Sequence, residues 1–220
     1  MRTRSLFAKT FSAACAAVVL GASAASAQAW HYPTLQTPDI STRDFTFLVA
    51  GGSSLYGTSG VAQWREGVAP DVMVNFDVGV ATPSHNSKFL AGAGLGYGLL
   101  KASQETPIDV VLTGGLYGAF GNQSFIRIPF GAVVGHHFPL GGALRLTPFV
   151  SPRLSVDVCA SNCYGIGTDL KLNFDLGASL DVTSTLAIRS ALTIGGVSAA
   201  DSRTSFGIGL TYRPNMAPRH

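Results

Sequence analysis

Charged residues are scarce in this chain. Asp, Glu, Lys and Arg make up 12% of its 220 residues, whereas typical soluble domains contain about 25%. Long apolar runs are also missing: outside the first 27 residues, no stretch approaches the roughly 18 uninterrupted apolar residues of a membrane-spanning helix. The first absence argues against an ordinary soluble domain, and the second argues against a helical membrane protein.

The start of the chain has the pattern of an export signal. Arg2, Arg4 and Lys9 form a positive end, residues 11–22 are mostly apolar, and residues 25–27 (ASA) are small. A signal peptidase recognises small residues at such a site. We therefore predict a signal peptide over residues 1–27 and export of the remaining chain.

An excess of one charge sign is absent once this signal is removed. The whole chain has 15 basic and 12 acidic residues, and the signal holds three basic and no acidic ones, which leaves 12 of each. A balanced chain lacks the positive field that attracts nucleic acid. We expect no nucleic-acid partner.

Cysteine is rare as well. Beyond the signal only Cys159 and Cys163 remain, in the sequence CASNC. Two thiols without a nearby His or a second Cys pair fall short of a zinc ligand set, so we expect no metal or cofactor. An exported chain meets an oxidising compartment, and we predict a disulfide between the two cysteines.

The chain is rich in alternation between apolar and small or polar residues. In residues 170–182 (LKLNFDLGASLDV) every even position is apolar. Strand side chains point alternately to opposite faces, so this pattern predicts a strand with one apolar and one polar face. Ordinary strands average about 5–6 residues, whereas this one is long enough for the roughly 9–11 residues of a tilted membrane-spanning strand.

Eight such segments predict an all-β, antiparallel, up-and-down transmembrane β-barrel, with strands over 71–82, 88–101, 108–120, 124–138, 143–158, 168–182, 185–197 and 203–213. Residues 44–50 alternate too and residues 60–66 alternate poorly, so ten strands are the alternative, because bacterial barrels have even numbers. The predicted organisation is a signal (1–27), an N-terminal segment with a possible extra hairpin (28–68), the barrel (69–213) and a short tail (214–220).

Face assignment follows from the same alternation. Val74 and Phe76 would face lipid, while Asn75 and Asp77 would face the interior. A soluble lipocalin-type barrel with reversed faces is the competing fold, but four glycines within residues 92–98 suit a narrow interior better than a solvated surface. Aromatic residues near strand ends are expected at the membrane interfaces: Phe120, Phe125 and Phe206 at the outer rim, Phe138 and Tyr212 at the inner rim.

Charges on the inward faces are the most site-like feature. If the hairpin over 143–182 is symmetric about Tyr164, Asp157 lies opposite Lys171 and Arg153 lies opposite Asp175, which would pair buried charges. We expect a charge network that plugs the barrel rather than a polar conduit, since about eight strands leave room only for side chains. The predicted network comprises Asp77, Arg127, Arg145, Arg153, Asp157, Lys171, Asp175, Asp181, Arg189 and Arg213.

Residues 205–213 (SFGIGLTYR) and 180–189 (LDVTSTLAIR) resemble the final strand and the penultimate hairpin of small outer-membrane β-barrels. The chain is similar to the group of the OmpA transmembrane domain and the opacity proteins. That resemblance implies outer-membrane lipid and the barrel-insertion machinery as partners. Residues 214–220 depart from it, since such chains usually end at an aromatic residue, and nothing resembles the peptidoglycan-binding domain of OmpA.

Candidate catalytic residues fail simple geometric tests. His136 and His137 are adjacent, so on a strand they face opposite sides. Residues 85–87 (HNS) offer a Ser and a His but no group to orient the base. The glycines of 92–98 recur every second residue, unlike a dinucleotide fingerprint, and are structural. We expect no enzymatic activity.

Three functions remain. The leading hypothesis is a non-enzymatic outer-membrane barrel that acts as a structural envelope component or a surface-interaction module. The alternative is a narrow, porin-like channel for a small solute, and the third is a lipid-modifying enzyme. The surface ligand is not identified by the sequence, because function on such a fold depends on grafted sites.

Overall fold

The computed structural model describes residues 36–40, 43–51, 58–82, 87–162, 168–195 and 203–214. These residues form β1 (Arg43–Gly51), β2 (Thr58–Ala69), β3 (Val72–Thr82), β4 (Lys88–Leu100), β5 (Asp109–Phe120), β6 (Ser124–Gly135), β7 (Phe138–Gly141), β8 (Leu144–Ser161), β9 (Thr168–Asp181), β10 (Leu186–Gly195) and β11 (Arg203–Tyr212). Among the described residues, none belongs to a helix of the length and apolarity needed to cross a membrane.

Ten of these strands close into an antiparallel barrel. Consecutive strands pair along the wall, β6 pairs with β8, and the circle closes where Phe45 of β1 faces Tyr212 of β11. The short β7 pairs only with the start of β8, so it forms an arm beyond the wall. The predicted all-β antiparallel barrel is confirmed.

The strand number is ten, the alternative to the eight well-marked segments. β1 and β2 come from the N-terminal segment and pair from Arg43–Glu66 to Gly51–Thr58, so the barrel begins at Arg43 rather than at residue 69. The predicted strand over 124–138 is interrupted at His136 and His137, which lie between β6 and β7. Two further predicted segments, the signal (1–27) and most of the tail (214–220), lie outside the described residues.

The barrel has two ends, which we name by the chain. The terminal end is where β1 begins and β11 ends, and the connections 70–71, 101–108 and 182–185 lie there. The loop end is opposite and carries the connection 121–123. An even strand number places the beginning of β1 and the end of β11 at the same end.

The two faces of the wall are chemically opposite. On β1, Asp44 and Thr46 point inward and are buried, whereas Phe47 is 69% exposed on the outside. On β3, Asn75 and Asp77 are buried inside, while Phe76 is 49% exposed outside. The predicted face assignment is therefore correct on β3, and β1 has the same alternation of a polar inner and an apolar outer face.

Glycines on the inner face make room for large side chains from neighbouring strands. A Cβ at Gly92 would stand 2.0 Å from Cδ1 of Tyr117, and one at Gly94 would stand 2.4 Å from the Tyr117 hydroxyl. Likewise, a Cβ at Gly177 would stand 2.2 Å from Cζ of Phe149. Both rings are buried, so they fill the barrel where the glycines lack side chains.

Candidate functional site

A fully buried polar cluster lies near the terminal end and centres on Asp44. Its Oδ1 accepts a hydrogen bond from Nε of Arg65 (3.0 Å), and its Oδ2 accepts one from Nη2 of Arg189 (3.0 Å). All three side chains are fully buried. Arg189 also donates to Thr46 (3.1 Å), which is hydrogen-bonded to Thr211 (2.8 Å). Two guanidinium groups thus share one carboxylate inside the barrel.

A second cluster connects β8, β9 and β10. Nη2 of Arg153 donates to Oδ1 of Asp175 (2.8 Å), and the same oxygen accepts a hydrogen bond from the Thr193 hydroxyl (2.6 Å). These side chains are buried. Toward the loop end, Asp157 accepts from Arg127 (Nε to Oδ1, 2.6 Å) and lies 3.4 Å from Nζ of Lys171.

The predicted register of the β8–β9 hairpin is wrong by two residues. Arg153 faces Asn173, and Ser155 faces Lys171, whereas symmetry about Tyr164 had required Asp175 and Asp157 there. The ion pairs nevertheless form, because Arg and Lys side chains are long enough to reach a diagonal neighbour across the strands. Opposite charge therefore identified the partners without identifying the register.

Further pairs line the terminal rim. Oδ2 of Asp181 accepts a hydrogen bond from Nε of Arg145 (2.8 Å), and Oδ1 of Asp181 forms an ion pair with Nη1 of Arg213 (2.9 Å). Glu66 is bridged by Arg43 through two hydrogen bonds of 2.6 and 2.7 Å. These pairs are more accessible than the interior ones, since the Arg145 and Arg43 side chains are 37% and 32% exposed. The remaining predicted member, Asp77, is buried opposite Gln63 of β2.

His137 joins the wall to the segment before β1. Its Nε2 lies 2.8 Å from Oδ1 of Asp39 and 3.4 Å from Oδ2 of Asp109, and its Nδ1 is hydrogen-bonded to the Thr147 hydroxyl (2.7 Å). Burial alone would raise the pKa of Asp39, but the hydrogen bond and charge of His137, with the charge of Arg145, lower it to about 2. Asp39 is therefore ionised at neutral pH.

This hydroxyl–imidazole–carboxylate arrangement lacks what catalysis requires. Thr147 is 1% exposed, so its oxygen has no room for a substrate. A nucleophile must reach the reacting carbon as well as its base. In the described part of the chain, no group of three or more His, Cys, Asp or Glu side chains is arranged to hold a metal ion. We interpret the His137 contacts as structural.

The predicted interface aromatics lie near the strand ends, but not all face outward. Phe120, Phe138 and Tyr212 are 44%, 46% and 49% exposed, and Phe206 is half-buried. Phe125 shares the strand face of the inward Arg127, and the ammonium of Lys88 lies 4.7 Å from its ring centre. Phe125 therefore packs at the mouth of the loop end.

Cys163 lies outside the described residues, so the Cys159–Cys163 disulfide stays a prediction.

Sequence reasoning missed Asp39, Asp44 and Arg65. Residues 60–66 alternate poorly, so the extra hairpin was only an alternative and no inward face was assigned before residue 69. The signal that could have found them is the pair Asp44 and Arg65, which fall on one face once 44–50 and 60–66 are paired as a hairpin.

No protein-family model matches the chain, and no curated protein matches it. It is similar to the solved structure of a bacterial polysaccharide outer membrane secretin, with a TM-score of 0.49, 10% identity, and coverage of 72% of this chain but 57% of the secretin chain. LpxR from Salmonella typhimurium has a TM-score of 0.47 and 9% identity over 77% of this chain and 99% of its own.

The KdgM porin has a TM-score of 0.40 and 8% identity over 78% of this chain and 99% of its own. Likenesses this distant carry no argument about function. The fold rests on the strand pairing of the chain itself, and membership of the group of the OmpA transmembrane domain and the opacity proteins stays a prediction.

Proposed function

We propose that the chain is an exported, integral outer-membrane β-barrel that serves as a structural envelope component or surface-interaction module and has no enzymatic activity. The observation that carries the proposal is the inverted distribution of polarity across the wall. Leu95 and Leu170 are 60% and 66% exposed on the outside, while Arg65 and Arg189 are fully buried inside.

The outward face would be costly in water. Leaving a Leu or Phe side chain exposed rather than buried costs about 1.5–3 kcal/mol. Large exposed apolar side chains lie on every wall strand, from one on β2 to five on β4. A contiguous apolar surface on a closed barrel marks contact with lipid. The wall strands have 9 to 18 residues, enough for the roughly 9–11 needed to cross a bilayer.

Orientation follows from the even number of strands. In bacterial barrels both ends of the chain lie in the periplasm, so the terminal end would be periplasmic and the loop end would face outward. The connections at the loop end, including 121–123, would then be the surface that meets other molecules. Their chemistry would decide any binding partner.

The interior favours a closed barrel over the channel hypothesis. Arg127 and Arg153, which project inward, are 2% and 3% exposed and are engaged with carboxylates. A conducting lumen would instead leave such charges hydrated. For the enzyme hypothesis, no described cluster combines an accessible nucleophile with a base and an orienting group.

The first test is fractionation of cells that express the full chain in a Gram-negative host. We expect the protein in the outer membrane, with faster migration on a detergent gel when unboiled than when boiled. An epitope inserted at Asn122 should be accessible on intact cells, and a matched epitope at Gln104 should not. A soluble periplasmic protein with unchanged mobility would refute the proposal.

Lipid analysis and conductance measurements test the proposal that the barrel has no enzymatic activity and is not a channel. We expect unchanged lipid A and phospholipid profiles on overexpression, and no stable conductance of the purified protein in planar bilayers. New acylated or deacylated lipids would support the enzyme hypothesis instead. Stable channels in the wild-type protein would support the porin-like alternative.

A further inference from the structure

A piece of chain that belongs to no strand lies inside the mouth of the barrel at its terminal end. Residues 36–40 precede β1 and lie inside the mouth: Thr37 is fully buried and Gln36 is 7% exposed. Side chains alone fill a barrel of about eight strands. This barrel has ten and a wider lumen, so main chain occupies space that wall side chains leave empty.

Two glycines of the wall create that space. A Cβ at Gly135 of β6 would stand 2.7 Å from Cγ of Pro38, and one at Gly98 of β4 would stand 3.3 Å from Cγ1 of Ile40. A larger residue at Gly135 would therefore collide with the segment. The wall has a recess on this side, and residues 36–40 occupy it.

Polar contacts hold the segment at two points. Nη1 and Nη2 of Arg65 both donate to the Thr37 hydroxyl (3.3 Å each), which fixes the segment from the β2 side. Asp39 is held by His137 (2.8 Å), which is itself oriented by Thr147. These contacts come from side chains, and residues 36–40 are not part of the strand ladder that closes the wall.

We propose that residues 36–40 are a removable plug, held in place by the contacts of Thr37 with Arg65 and of Asp39 with His137. Release of the plug would open a water-filled vestibule inside the terminal end of the barrel. The vestibule ends at the cluster of Asp44 and Arg189, which fills the lumen beneath the plug. This inference goes beyond the proposed function, since a purely structural barrel needs no releasable segment.

The test uses a thiol placed beneath the plug. Thr211 is fully buried and belongs to the cluster around Asp44, so Thr211→Cys, with Cys159→Ser and Cys163→Ser, provides the reporter in the full chain. The release variant adds Thr37→Val and Asp39→Ala. We expect at least about a ten-fold faster reaction with a charged thiol reagent than in the reporter protein alone, the tenfold step corresponding to about 1.4 kcal/mol of latch energy.

The matched control is Asp71→Ala, which removes an exposed ion pair with Lys101 at the same end of the barrel and should leave the rate unchanged. Equal rates in the reporter and release variants would overturn the plug, and so would an equal increase in the control. The gel shift between boiled and unboiled samples reports barrel formation separately, so failure of the plug is distinguishable from failure of the membrane-barrel proposal.

Should the release variant fail to form a barrel, hydrogen exchange on the wild-type protein decides the question. We expect the backbone amides of residues 36, 37, 39 and 40 to exchange at least ten-fold faster than those of residues 45–49 in β1, because a latch held by side chains opens without unfolding the wall. Equal protection of the two segments would mean that residues 36–40 are a fixed part of the barrel and would overturn the proposal.

Discussion

The β4–β5 wall and the β8–β9 wall fill the same lumen in different ways. The first presents glycine at 92, 94, 96 and 98, and Tyr117 covers two of them. The second presents Arg153, Asp157 and Asp175 among its inward residues, and these charges are paired. Beside the β4–β5 wall the lumen is filled by the Tyr117 ring, for which the glycines leave room. Beside the β8–β9 wall it is filled by ion pairs.

The two solutions have different energetic weaknesses. Tight packing fails when volume is added, because the neighbouring ring has nowhere to move. A buried ion pair fails when one charge is removed, because its partner remains uncompensated at low dielectric constant. The comparison therefore predicts opposite sensitivities: the glycine wall should resist charge changes and fail on added volume, and the charged interior should do the reverse.

The largest effect is expected for Asp44→Asn. This change removes the negative charge that Arg65 and Arg189 share and leaves two buried guanidinium groups without it. Breaking a buried pair costs about 3–5 kcal/mol. We expect a loss of that size in the free energy of unfolding by urea from lipid vesicles.

The control for Asp44→Asn is Asp71→Asn. The Asp71–Lys101 pair spans 3.0 Å, but its side chains are 44% and 69% exposed. Exposed pairs contribute about 0–1 kcal/mol, so this variant should unfold like the wild type. Similar losses in both variants would mean that burial does not determine how much the Asp44 cluster contributes to the free energy of unfolding.

The sequence could predict an ion pair inside the barrel only where its two residues lie close together along the chain. Arg153 and Asp175 lie in one hairpin, so alternation and charge sign identified them even though the register was off by two residues. Asp44 and Arg189 are 145 positions apart and meet only because the barrel closes between β1 and β11. No local pattern predicts a contact created by closure.

Added volume should expose the weakness of the glycine wall. Gly92→Ala places a Cβ 2.0 Å from Cδ1 of Tyr117, whereas a Cβ at Gly60, on the outer face of β2, meets nothing within 4 Å. We expect Gly92→Ala to lower the free energy of unfolding by about 1–3 kcal/mol. Gly60→Ala should be neutral or slightly stabilising, because Ala loses less conformational entropy than Gly.

Shrinking the ring tests the same cause from the other side. If the collision with Tyr117 is what destabilises Gly92→Ala, the added methyl group should cost less in a Tyr117→Ala background than in the wild type. An identical cost in both backgrounds would show that Gly92 is needed for its backbone and not for the space above it.

The smallest effect is expected for the coupling energy between Arg153 and Asp175 in the charged wall. Arg153→Gln and Asp175→Asn, alone and together, form a double-mutant cycle whose coupling energy measures the pair across its 2.8 Å hydrogen bond. Contacting residues of one network couple by about 0.5–3 kcal/mol. We expect a value in that range, reduced by the hydrogen bond from Thr193, which the Asn side chain can still accept.

A second double-mutant cycle, on a distant pair of charges, gives a reference for the Arg153–Asp175 coupling energy. Asp181 is eight residues along β9 from Asn173, the residue that faces Arg153, which places it roughly 26 Å away along the strand. Arg153→Gln combined with Asp181→Asn should therefore be additive. If both cycles gave the same coupling, the charges would act through their sum over the whole lumen, and the division of the β8–β9 wall into discrete pairs would have to be abandoned.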